Sequence, residues 1–91
     1  MCRVSPRAAR RYEAECDRVQ RALLLFSKAH AALEAGQPGR ARRRFEQGAT
    51  LRDADSALGL GYMYDHALGG RRDVRQAEYW YRRAHAWGET Q

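Results

Sequence analysis

Between Arg7 and Ala35 the chain carries neither glycine nor proline. The two residues that most readily interrupt a helix are therefore missing from the whole run. The apolar residues supply the period. Tyr12, Cys16, Val19, Leu23, Phe26, His30 and Leu33 follow one another at alternating spacings of four and three, one seam of an α-helix. A second stripe, Ala22, Leu25, Ala29 and Ala32, runs beside it, and its small residues let a neighbouring helix come close. On this reading Cys16 is a small buried hydrophobe and His30 a partly buried structural histidine. Ser5 suits a cap and Pro6 the first helical position, while Gly36 falls where a left-handed residue is wanted. The run predicts one long N-terminal helix over 6–35, or two that are nearly continuous.

Three shorter helices follow. Gln37-Pro38-Gly39 is a turn, and Pro38 opens a helix to about Leu51. Its inward face is Ala41, Phe45, Gly48 and Ala49. Its outward face carries Arg40, Arg43 and Arg44, with Arg42 spaced to pair with Glu46. Asp53 or Asp55 caps a third helix bearing Leu58, Leu60, Gly61, Met63 and Tyr64. Gly59 and Gly61 inside it each cost about 1 kcal/mol relative to alanine, so their presence predicts close backbone packing. After the loop Leu68-Gly69-Gly70, Asp73 and Gln76 are spaced as a capping box. The fourth helix then presents Val74, Ala77, Trp80, Tyr81, Ala84 and Trp87 on one broad face, pairs Glu78 with Arg82, and is closed by Gly88. No segment sustains a two-residue alternation, so no strand is expected.

The two hairpins repeat. Ala41 and Ala77, Phe45 and Tyr81, and Gln47 and Arg83 each stand 36 positions apart. In the second copy, Leu60-Gly61, Tyr64, Gly69, Asp73, Ala77, Trp80-Tyr81, Ala84 and Gly88 keep one register through a loop. That stretch resembles the Sel1-like repeat, a relative of the tetratricopeptide repeat. Gln76 and Arg83 stand where the family usually has lysine, and Ala67, Gly70 and His85 where it has glycine, valine and alanine. The resemblance implies a Sel1-like repeat over 54–88, beside a degenerate tetratricopeptide-like hairpin over 22–51. The expected fold class is all-α: antiparallel helical hairpins, an α-solenoid fragment of four helices, in a single domain over 1–91. Trp80 and Tyr81 then fill the wedge between hairpins. The concave face formed by the first helix of each hairpin becomes the docking surface, with Leu25, Tyr62 and Tyr64 as contributors. Trp87 and His85 lie where the repeat stops and its last face has nothing known to cover it.

Charge leaves two readings open. Seventeen basic residues against 11 acidic ones give a net charge of +6 and a pI near 10.0. Such a balance favours nucleic acid, anionic membranes or acidic proteins. Lys28 is the only lysine, however, and an arginine bias of this kind also follows from a GC-rich coding sequence. The Arg40, Arg42, Arg43 and Arg44 group is the strongest electrostatic feature, but no aromatic is interleaved with it. Two cysteines make at most one disulfide. Leu23-Leu24-Leu25-Phe26 is too short a run to span a bilayer, and no signal peptide is visible, so a cytoplasmic location is expected.

The chemistry-bearing residues are scattered. Cys2, Cys16, His30, His66 and His85 show no metal-ligand spacing, and Leu68-Gly69-Gly70-Arg71 lacks the ending of a phosphate loop. No enzyme, cofactor or metal is expected. The sequence points to a protein–protein interaction module, an adaptor, chaperone or regulatory subunit, with an acidic protein partner or a second copy of itself. The alternative is a nucleic-acid-binding helical protein using Arg40–Arg44.

Overall fold

The computed structural model describes residues 6–89, with side chains described from 16 to 88. Cys2, Ser5 and the Tyr12 side chain lie outside the described residues. Among the described residues the chain is all-helical, with four helices and no strand: α1 (Pro6–Glu34), α2 (Pro38–Thr50), α3 (Ala54–Asp65) and α4 (Val74–Glu89). Neighbours in sequence are neighbours in space. The packing is most extensive between α3 and α4 and between α1 and α2, lighter between α2 and α3, and sparse between α1 and α3. Each successive pair is antiparallel. Gln37 bonds Ala32 while Phe45 meets Phe26. Phe45 closes on Gly59 while Gly48 closes on Ser56, and Asp73 bonds Tyr64 while Tyr81 closes on Gly61.

Local chemistry sets the helix ends. Gly36 takes φ +73°, its amide donates to the Leu33 carbonyl at 3.0 Å, and the Gln37 amide donates to Ala32 at 2.8 Å. These are the two bonds of a Schellman cap. The same cap ends α2, with Arg52 at φ 59° and amides of Arg52 and Asp53 bonded to Ala49 and Gly48. It recurs after α3, where Ala67 takes φ 55° and Leu68 bonds Met63. Arg52 and Ala67 thus occupy positions that glycine fills without strain. At the starts, Asp53 rather than Asp55 caps α3, accepting from the Ser56 amide at 3.0 Å and its hydroxyl at 2.7 Å. The Asp73 carboxylate accepts from the Gln76 amide at 3.1 Å. Gly88 does not close α4, which continues through it to Glu89.

The interior inverts the expected weight of the two stripes on α1. Ala22, Ala29 and Ala32 are 5%, 0% and 5% exposed, whereas Val19 and Leu23 on the bulky seam are 50% and 59% exposed. Small residues on both helices, Ala29 and Ala32 facing Ala41, draw α1 and α2 together. The bulky seam is turned aside. Cys16 is half-buried rather than enclosed. His30 is exposed, although its ring lies edge-on to both Phe26 and Phe45. Leu58 and Val74, expected on packed faces, are also exposed.

Phe45, Leu60 and Met63 are the largest apolar side chains fully enclosed. Two glycines admit the aromatic rings beside them. A Cβ on Gly59 would lie 2.5 Å from the Phe45 ring, and one on Gly61 would lie 2.8 Å from Tyr81 and 3.2 Å from the Ala77 carbonyl. The expectation that both permit close packing therefore holds. Tyr81 also donates its hydroxyl to Asp65 at 3.5 Å. Burial first, and the Asp65 carboxylate second, push that phenol above its ordinary value of 10.0.

Unfolding measurements on three variants check this packing. Gly59→Ala is predicted to cost about 1–2 kcal/mol net, because overpacking outweighs the gain in helix propensity. Gly88→Ala meets nothing within 4 Å and is predicted to cost nothing. Ala67→Gly, which relieves a left-handed alanine, is predicted to stabilise the fold by about 1 kcal/mol.

Candidate functional site

Because α1 scarcely touches α3, a groove stays open between them. It holds about 340 Å³ and is lined by Phe26, His30 and Leu33 of α1, Leu58, Gly59, Tyr62 and Met63 of α3, and Phe45 of α2 at its floor. Phe26 and His30 meet edge to face at 4.5 Å, and each lies 5.9 Å from Phe45. Tyr62 rests against His66 with ring centres 4.1 Å apart. Asp55 stands at the boundary with a second hollow of about 230 Å³, which extends past Leu23 and Val19 to Arg18, Arg52 and Asp53. From Val19 to Leu33 the α1 wall is about 21 Å long at the rise of an α-helix. The part beside Phe26–Leu33 is apolar, and the adjoining hollow along Val19 and Leu23 is charged through Arg18, Arg52, Asp53 and Asp55.

The three expected contributors separate. Tyr62 lines the groove and is 49% exposed. Leu25 is half-buried and is not among the lining residues. Tyr64 is half-buried beneath Arg42, whose guanidinium carbon lies 4.2 Å from the ring centre. Val19, Leu23, Phe26, Leu33 and Leu58 join the site instead. The sequence displayed all five as apolar residues at helical spacing and read them as packing.

The arginine group does not form one face. Arg42 turns inward instead of pairing with Glu46. It donates to the Leu68 carbonyl at 2.7 Å and holds the α3–α4 loop against α2. Its Nε is buried without a hydrogen-bond partner. Arg40 and Arg44 border a shallow hollow with Lys28 and Gln37, and Arg44 also bonds Gln47 at 3.2 Å. Arg43 is exposed. A helix advances about 100° per residue, so consecutive arginines necessarily fan out around it.

On α4, His85 is exposed and Trp87 is half-buried against the edge of the core. Trp87 also lines a fourth hollow, of about 590 Å³, with Arg52, Arg75, Glu78, Tyr79, Arg82, Arg83 and Ala86. Glu78 and Arg82 form the expected i,i+4 pair at 3.5 Å. At the α3–α4 loop, Asp65 receives Arg72 at 3.3 Å and Tyr81 at 3.5 Å, a clamp that fixes the hairpin. Among the described residues, no three His, Cys, Asp or Glu side chains are grouped to hold a metal ion, and no helix is long and apolar enough to cross a membrane.

In comparison with known proteins, the chain matches no family model, no curated protein and no solved structure. The geometry of its surfaces therefore carries the functional argument.

Stability measurements distinguish the roles of adjacent arginines. Arg42→Ala is predicted to cost about 1–3 kcal/mol, since it removes a charged hydrogen bond from a part-buried carbonyl. Arg43→Ala is predicted to stay within about 0.5 kcal/mol of the parent.

Proposed function

We propose that this chain is a non-enzymatic protein–protein interaction module that docks a peptide or partner helix in the groove between α1 and α3. The observation that carries this reading is the apolar groove: Leu58 and Tyr62 stand about half exposed along a floor formed by enclosed Phe45, and Val19 and Leu23, also about half exposed, line the adjoining hollow. An apolar groove of this length suits an amphipathic helix, whose residues at i, i+3 or i+4, and i+7 would replace water along it. Arg18 and Arg52 at the charged end favour an acidic residue on the partner near that end.

We read the architecture behind this site as a Sel1-like hairpin over 54–88 stacked on a degenerate tetratricopeptide-like hairpin over 22–51, with the long first helix covering an end. Support comes from the register of Leu60-Gly61, Ala77 and Trp80-Tyr81. Gly61 in close contact with Ala77 and Tyr81 supports it further. The groove then corresponds to the concave face of a short α-solenoid. The role is that of an adaptor, chaperone or regulatory subunit, and it calls for no cofactor. The nucleic-acid reading based on Arg40–Arg44 has weaker support, because Arg42 is occupied inside the fold.

A displayed library of helical peptides, selected on the folded protein, tests this. Enriched peptides are predicted to carry apolar residues at i, i+3 or i+4, and i+7. Their affinity is predicted to fall at least about tenfold on Leu58→Glu or Leu23→Glu, which alter exposed side chains and leave the circular dichroism spectrum unchanged. Selected peptides that bind both variants as well as the parent would overturn the reading.

A further inference from the structure

The α4 hollow has a composition unlike the α1–α3 groove. Along one side of the helix run Arg75, Tyr79, Arg82, Arg83 and Trp87, alternating guanidinium groups with aromatic rings. Arg83 lies over both rings, its guanidinium carbon 4.8 Å from the centre of Tyr79 and 6.0 Å from that of Trp87. Tyr79 is 45% exposed, so one of these rings is open to solvent. The stripe from Arg75 to Trp87 is about 18 Å long at the rise of an α-helix, enough for a few nucleotides.

Arg52 supplies an independent observation. It holds the left-handed position of the α2 cap at φ 59°, where glycine would carry no strain. Its side chain borders this same hollow, across from α4. A strained arginine thus adds a fourth positive charge beside Arg75, Arg82 and Arg83, against the single carboxylate of Glu78. Arg82 is already engaged with Glu78, which leaves Arg52, Arg75 and Arg83 as the net positive set.

We propose that this hollow binds single-stranded nucleic acid, with bases stacking on Tyr79 and the rim of Trp87 and phosphates meeting Arg52, Arg75 and Arg83. Bases offer planar faces to rings and guanidinium groups alike, and the backbone offers charges at regular intervals. An acidic peptide would match the arginines but bring no planar base to the solvent-open part of the Tyr79 ring, which already meets Arg83 and the edge-on Trp80 ring. A duplex would hide its bases from Tyr79. The surface adjoins the charged end of the α1–α3 groove, and Arg52 borders both.

Fluorescence anisotropy with a labelled oligouridylate at low salt tests the proposal. The parent protein is predicted to bind it, more tightly than a duplex of equal length. Tyr79→Ala is predicted to weaken binding by roughly fivefold to a hundredfold, as loss of one base stack does. Arg75→Glu and Arg83→Glu are predicted to lower both the affinity and its salt dependence, and Arg21→Glu, the same charge change on an exposed part of α1, to have much the smaller effect. Arg52→Gly separates binding from folding: it is predicted to raise the Tm while weakening binding. Absence of binding, equal binding of duplex, equal competition by polyglutamate, or an Arg21→Glu loss as large as that of Arg83→Glu would each overturn the proposal.

Discussion

The Phe45 ring is enclosed where α1, α2 and α3 meet, with Phe26 and His30 edge-on to one side and the Gly59 backbone on the other. The ring can lie against α3 because Gly59 has no Cβ, and it forms the floor of the groove between α1 and α3. The groove is thus a by-product of how the core is filled.

That arrangement decides which stripe of α1 faces inward. The alanine stripe and the bulky seam lie side by side on one helix, and α2 can cover only one closely. Close approach wins, because Ala29, Ala32 and Ala41 bring two backbones near enough for continuous contact. Val19 and Leu23 are left at the groove wall. Nothing in the spacing of the residues reveals this, since both stripes obey the same helical period. The sequence supports four helices, their order and most of their caps because those depend on neighbours in the chain. It cannot choose between two equally periodic faces, because that choice depends on which helix packs against them.

The same limit governs the charged residues. Arg40–Arg44 looks like a patch when read along the chain, yet the helix distributes it, and Arg42 ends on Tyr64 and the Leu68 carbonyl. The α4 stripe reads in reverse. Arg75, Tyr79, Arg82, Arg83 and Trp87 are spread along one helix, and only Trp87 among them stands out in the sequence as a binding candidate. Their helical spacing was legible. The contribution of Arg52 was not, because it arrives from a turn more than twenty positions earlier. Ala67 shows the same limit in the backbone: its φ of 55° is left-handed, and the helical spacing of its neighbours does not reveal that.

The central claim is that α1 buries its alanines and presents its large residues to the groove. Paramagnetic broadening of methyl resonances by a soluble, neutral gadolinium chelate tests it most directly. The account predicts strong broadening at Val19, Leu23 and Leu58 and protection at Ala29 and Ala32. Protected Leu23 and Leu58 methyls together with broadened Ala29 and Ala32 methyls would contradict it.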